Sequence, residues 1–272
     1  NSIQLSSELV AAVQKGRSFL EDFIQRADRP IYGINTGFGS LCDVEIGTKD
    51  LGRLQENLVK SHACGLGPVV SESIVRYMLL LKIMGLSKGH SGIQLATIQR
   101  LVDFYNLGIT PVVYEQGSLG ASGDLAPLAH LSLPILGLGE VWYKGKRVKS
   151  AVALSSEGLT PLSLGAKEGL ALLNGTQFMS AHGTFILYGL QHWLIQSDWV
   201  AALALDAYDG RLEPFDAAVH AVRPHSGQIE TAAAIRTLLD GSEWIIQPKK
   251  HVQDPYSFRC IPQVHGASKD AI

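Results

Sequence analysis

The sequence predicts a mainly α protein. Three observations carry that prediction: apolar residues recur at helical spacing through most of the 272 residues, Gly- and Pro-bearing clusters separate those stretches, and only one short segment sets two β-prone runs around a tight turn. Residues 5–26, LSSELVAAVQKGRSFLEDFIQR, place Leu9, Val10, Val13, Phe19, Leu20, Phe23 and Ile24 at helical spacing, with Ser6 or Ser7 as cap and Pro30 just past the end. DLGRLQENLVKSHA, SESIVRYMLLLKIMGL and GIQLATIQRLVDFYNLG predict three further helices, separated by CGLGPVV and SKGHS. The apolar stripes of 74–86 and 93–107 predict helices packed on more than one side. In EVWYKGKRVK, Lys144-Gly145 predicts a small β-hairpin near 141–149, a peripheral feature of the fold. Helices resume at SLGAKEGLALL. The stretch from Thr176 to Gly210 is apolar on nearly every face, as in a helix at the centre of a bundle. The change from short helices to a long one divides the chain into an N-terminal helical domain, 1–175, and the start of a central helical-bundle domain, 176–272.

Composition narrows the function classes. Hydrophobic residues make up 46% of the chain, ample for a buried core, and 23 Lys and Arg against 25 Asp and Glu leave a formal charge of −2. No block of like charge is long enough to track a polyanion, so neither nucleic acid nor a membrane surface is an expected partner. The start NSIQLSSELV lacks a basic head followed by an apolar core, and the longest apolar runs fall short of a bilayer span, which points to the cytoplasm. Cys42, Cys64 and Cys260 are odd in number and widely spaced, and His62-x-Cys64 lacks the second pair that a structural zinc site needs, so no metal is expected. Neither Cys64 nor Cys260 has a recognisable dyad partner. Both are expected as buried thiols.

The stretch GSLGASGDLAPLAH, residues 117–130, sets Ser122 among glycines directly before a helical pattern. A hydrolase elbow needs Gly-x-Ser-x-Gly, but Asp124 stands where the last glycine should be. A phosphate loop is unsupported, because neither these glycines nor those of YGINTGFG space as Gly-x-Gly-x-x-Gly. One remaining reading is a turn into a helix capped by Asp124, with Pro127 in its first turn. The other is chemistry of the backbone itself. If the Gly123 nitrogen attacked the Ala121 carbonyl carbon, a five-membered ring would form; loss of that oxygen as water, and of a second water from the Ser122 side chain, would leave an exocyclic methylene, a strong electrophile. Glycine at the attacking nitrogen permits the tight approach this needs, and the start of the following helix would direct partial positive charge toward the ring oxygen.

GSLGASGDLAPLAH resembles the signature of the histidine and aromatic amino-acid ammonia-lyase family, in which an Ala-Ser-Gly triplet cyclises to 4-methylidene-imidazole-5-one (MIO). YGINTGFG at 32–39, NLVKSHACG at 57–65, LALLNGTQ at 170–177 and QDPYSFRCIPQVHGA at 253–267 follow in that family's order and spacing. The resemblance implies a fumarase/aspartase-like helical fold, an MIO electrophile made from Ala121, Ser122 and Gly123, and no metal or diffusible cofactor. It also implies a small amino-acid substrate and a homotetramer. Eliminating ammonia without oxidation is difficult because the β-hydrogen is barely acidic and the amine leaves poorly, so both ends need help.

By the same resemblance Tyr32 is the base that takes the β-proton, which requires its hydroxyl to ionise below the usual pKa of about 10. Asn174 hydrogen-bonds in the MIO pocket; read locally, Asn-Gly ends one helix and Thr176 caps the next. Arg259 becomes a fork for the substrate carboxylate, and Gln253 and Tyr256 line the pocket. Ser61-His62 is similar to the pair of histidine lyases, making L-histidine the implied substrate and trans-urocanate the product. A tyrosine or phenylalanine ammonia-lyase or 2,3-aminomutase of the same family is the close rival, and an inactive truncated lyase scaffold is the alternative from another class. Family chains are considerably longer, so the sequence is expected to be an N-terminal portion.

Overall fold

The computed structural model describes residues 2–26, 29–36, 46–47 and 50–272. Cys42 and the end of YGINTGFG lie outside the described residues. The chain divides into two compact units, residues 1–185 and 186–272.

In the first unit α1, Ser7–Arg26, begins where Ser6 caps it: Leu9 N donates to Ser6 Oγ at 3.3 Å and Val10 N to Ser6 O at 3.0 Å. Of its predicted apolar set, Val13 and Leu20 are buried, while Phe19 and Phe23 are exposed and stack on each other. Helices α2 (Leu51–His62), α3 (Glu72–Leu86) and α4 (Leu95–Leu107) follow. Val75, Met78, Leu79, Ile83 and Leu86 of α3 join Ile98, Leu101 and Phe104 of α4 in one core cluster, so both helices bury more than a narrow stripe.

Between α2 and α3 runs β1, Leu66–Val69, and after α4 come β2, Thr110–Pro111, and β3, Tyr114–Gln116. Antiparallel pairing of β1 with β3 sets Leu66 opposite Gln116 and Val69 opposite Tyr114. Helix α5, Leu125–Ser132, then runs into a 3-10 turn at Leu133–Leu136. The predicted hairpin is β4, Glu140–Tyr143, and β5, Lys146–Lys149, with Lys144 and Gly145 both at positive φ as a two-residue turn demands. It is not peripheral. β4 also pairs with β2 in a three-stranded sheet of order β2-β4-β5, and Val141 lies fully buried in the core.

Helices α6 (Ser150–Ser156), α7 (Glu168–Leu173) and α8 (Gln177–Ala207) complete the order of this region. Two buried polar side chains fix α7: Glu168 accepts from Gln94 N, Thr97 Oγ1 and Gly165 N, and Gln55 Oε1 accepts from Leu170 N. The long helix forms as predicted, and Trp193, Trp199, Val200 and Leu203 along it are more than half exposed in this chain.

The second unit holds a 3-10 turn, Glu213–Phe215, then α9 (Ala217–Ala221), α10 (Ser226–Leu238), α11 (Tyr256–Arg259) and α12 (Ile261–Ala271). Its core gathers Leu205, Phe215, Ala232, Ile235 and Ile261. Buried Asp198 on α8 is paired with His265 Nδ1 at 2.8 Å and Lys269 Nζ at 2.7 Å, both on α12, which offsets its desolvation.

Candidate active site

Ser122 sits on an exposed knuckle between β3 and α5, where Gly123 is backbone-paired with both Gly120 and Ala121. The triplet is thus folded back on itself. Gly123 has φ +90°, and a Cβ built there would lie 2.3 Å from the Gly175 carbonyl oxygen. Only glycine fits both conditions. Gly123→Ala is expected to destabilise the protein by about 1–3 kcal/mol, seen as a lower thermal midpoint; a wild-type midpoint would overturn the expectation.

The junction between α7 and α8 holds the knuckle from the other side. Asn174 ends α7, its N–H bonded to Leu170 O, and its side-chain Nδ2 donates to both Ser122 O and Ser122 Oγ at 3.1 Å. One residue on, Gly175 O accepts from Asp124 N at 2.8 Å. Asp124 does not cap its own helix. Its buried carboxylate accepts from Ser118 Oγ and, at 3.0 Å, from Met179 N in the first turn of α8. The carboxylate therefore answers an orphan N–H of a helix 55 residues away in sequence, where the developing positive end of α8 favours it.

Tyr32, in the turn after Pro30, and Asn174 both line a cavity of about 510 Å³, together with Lys82, Ser91, Lys167 and Gln177. Ser91 Oγ and Gln177 Oε1 are buried there with no hydrogen-bond partner among the described residues. Lys82 is 2% exposed, its Nζ donates to Asn174 O at 3.0 Å, and burial lowers its pKa to about 7. Sequence reasoning missed Lys82, because a lysine within MLLLKIMGL reads as a stem lying on the core with its head in water. The available signal was its place in the stripe, between Leu79 and Ile83.

His62 closes α2 with Nδ1 2.9 Å from Leu58 O and 3.2 Å from Ser61 Oγ. A carbonyl only accepts, so Nδ1 carries the proton of this bond. Nearby, His130 Nε2 accepts from Gly65 N at 3.0 Å and edges against Tyr114, and burial lowers its pKa, so it is a neutral structural histidine. Cys64 is exposed and Cys260 half-buried, contrary to the expectation of buried thiols, because Cys64 lies at an open helix end.

In the second unit Gln253 and Arg259 line a cavity of about 490 Å³ with Arg211, Glu213, Asp254 and Gln263. The Arg259 guanidinium lies 4.2 Å over the Tyr256 ring, and its buried Nε has no hydrogen-bond partner among the described residues. The loop preceding it is pinned by Asp254, buried and bonded to Arg211 N and His251 Nε2. Among the described residues no cluster of three His, Cys, Asp or Glu side chains could hold a metal, and no helix is long and apolar enough to cross a membrane.

The sequence matches the family described as aromatic amino acid lyase over residues 1–272. It is 47% identical to histidine ammonia-lyase of Streptococcus pyogenes serotype M49 (strain NZ131) over 270 residues, 99% of this chain and 52% of that protein. The chain spans about half the length of the curated relatives it matches. Among solved structures, histidine ammonia-lyase from Trypanosoma cruzi superposes with a TM-score of 0.87 at 36% identity, covering 99% of this chain and 50% of that one. Tyrosine aminomutase from Streptomyces globisporus gives a TM-score of 0.92 at 36% identity, covering 99% and 54%. With its whole length matched and its glycine-locked Ala-Ser-Gly knuckle held by Asn174, the chain belongs to the aromatic amino acid lyase family.

Proposed function

We propose that this chain is the N-terminal portion of a cytoplasmic histidine ammonia-lyase that converts L-histidine to trans-urocanate and ammonia and assembles as a homotetramer. The observation that carries the reading is the bonding of Asn174 Nδ2 to both Ser122 O and Ser122 Oγ above a residue, Gly123, at which no side chain fits. These residues suit an MIO ring. The triplet is already folded back, and the Asn174 amide donates to Ser122 O, which would become the carbonyl oxygen of the ring, and to Ser122 Oγ, which would leave as water from the future methylidene carbon. Once closed, the ring supplies an electrophile that draws electrons from the substrate.

The chain's own residues do the rest. Tyr32 takes the β-proton, and its place on the cavity shared with Asn174 supports that role. Asn174 stabilises negative charge at the former Ser122 carbonyl oxygen through its amide. Arg259, with an unsatisfied Nε and a guanidinium stacked on Tyr256, binds the substrate carboxylate, and Gln253 shares its cavity. His62, whose proton sits on Nδ1, offers Nε2 to the imidazole of the substrate. Histidine is preferred over tyrosine or phenylalanine on Ser61-His62 and on the 47% identity to a histidine ammonia-lyase.

The test is to incubate full-length protein with L-histidine, L-tyrosine and L-phenylalanine, following products, and to weigh the peptide spanning Ala121–Gly123. Urocanate as main product with a two-water deficit is expected; β-amino acid products or an unmodified mass in active protein would overturn the reading. Arg259→Lys is expected to raise KM about 10- to 100-fold with a smaller change in kcat, since a point charge replaces a two-pronged donor.

A further inference from the structure

Lys82 stands where the core pattern asks for an apolar residue. Met78, Leu79, Ile83 and Leu86 surround it on α3, each buried, and a methionine at 82 would extend that stripe without bringing a charge indoors. Among the described residues no carboxylate forms an ion pair with its ammonium, and burial is what drags its pKa to about 7. A buried amine kept without a counter-charge must be explained by what it touches. Its contact is the Asn174 carbonyl, and that peptide is the hinge from which both grips on the Ser122 knuckle extend: the Asn174 amide forward to Ser122, and the Gly175 carbonyl to Asp124 N.

We propose that Lys82 is a positioning residue that ties down the Asn174–Gly175 peptide from the cavity side, so that the Asn174 amide and the Gly175 carbonyl together hold residues 122–124 in the geometry ring closure needs. The Nζ–H donates to a carbonyl in either protonation state, so the tie survives deprotonation. With an apolar side chain in its place, the Asn174 carbonyl loses its donor and the peptide gains freedom to rotate. Both grips then slacken at once. The inference rests on the proposed function for its chemical consequence, and on the hydrogen bonds alone for its structural one.

The experiment uses the full-length protein with Lys82→Met, Asn174→Ala and the double variant, and reads two quantities. Amide hydrogen exchange of the Asp124 N–H reports the Gly175 grip without reference to any chemistry; the fraction of Ala121–Gly123 peptide lacking two waters, followed after synthesis, reports ring closure. Lys82→Met is expected to accelerate Asp124 exchange at least tenfold, with a thermal midpoint no lower than that of the unsubstituted protein, and to slow ring closure at least tenfold. In the double variant Lys82→Met should add little to the closure defect of Asn174→Ala, because the side chain it orients is gone. Unchanged exchange overturns the proposal whatever the masses show, and so does additivity or normal closure in Lys82→Met. If the unsubstituted protein shows no water deficit, the proposed function falls while the exchange result still judges the tie. Lys82→Arg, which keeps a donor, should restore part of the protection if it folds, and a merely space-filling role would not produce that rescue.

Discussion

On the proposed function, replacing Ser122 by alanine in the full-length protein is expected to abolish turnover of L-histidine, by at least about a thousandfold, while leaving the fold intact. The loss follows from atom balance. Without Oγ the second water cannot leave, so no methylidene carbon forms, whatever the backbone does. The fold survives because Ser122 is exposed and the substitution removes one of the two acceptors of Asn174 Nδ2, leaving Ser122 O, at a cost of about 1 kcal/mol or less. The measurement is urocanate production together with helical circular dichroism and the 121–123 peptide mass. Urocanate formed at an undiminished rate by the alanine variant would sink the mechanism.

The second large effect concerns stability and is expected to depend on pH. In the folded chain Lys82 has a pKa of about 7 against 10.5 when exposed. Between those values the unfolded chain holds the proton and the folded chain does not, so stability rises with pH across the window; below about 7 both states hold it and the folded protein bears the full desolvation cost. That gap corresponds to about 5 kcal/mol. Lys82→Met removes the penalty and loses one hydrogen bond worth about 1 kcal/mol. The methionine variant should therefore unfold about 8–15 °C higher at pH 6, with an advantage that shrinks steadily toward pH 10. An equal difference at all pH values would mean that the amine is not desolvated. On the positioning role proposed for Lys82, the protein gives up stability to hold the Asn174–Gly175 peptide.

Much of the helical architecture was legible in sequence. Ser6 capping α1, the stripes of α3 and α4, and the Lys144-Gly145 turn all follow local rules of periodicity and dihedral preference. What escaped was set by distant partners. Strands β1, β2 and β3 are two to four residues long and exist through pairings such as Leu66 with Gln116, for which no local pattern speaks. Asp124 was legible as a capping residue, but the helix it serves is α8 rather than α5, because the knuckle turns its carboxylate away from its own N–H groups. At the site, Ser122, Asn174 and Arg259 were reached through motif resemblance, whereas Lys82 was hidden by its own surroundings.

The bond from Met179 N to Asp124 also sets a clock. A ribosome adding about 5–20 residues per second needs roughly 3–11 s to travel the 55 residues separating these partners. Through that interval the Ser122 knuckle has neither the Asn174 amide nor the α8 terminus to shape it, and it remains an ordinary peptide. A nascent chain arrested before residue 179 leaves the tunnel would carry the encoded mass at Ala121–Gly123. On the proposed function, ring closure would thereby wait for the completion of this much of the polypeptide, and an unfinished chain would be spared a reactive electrophile.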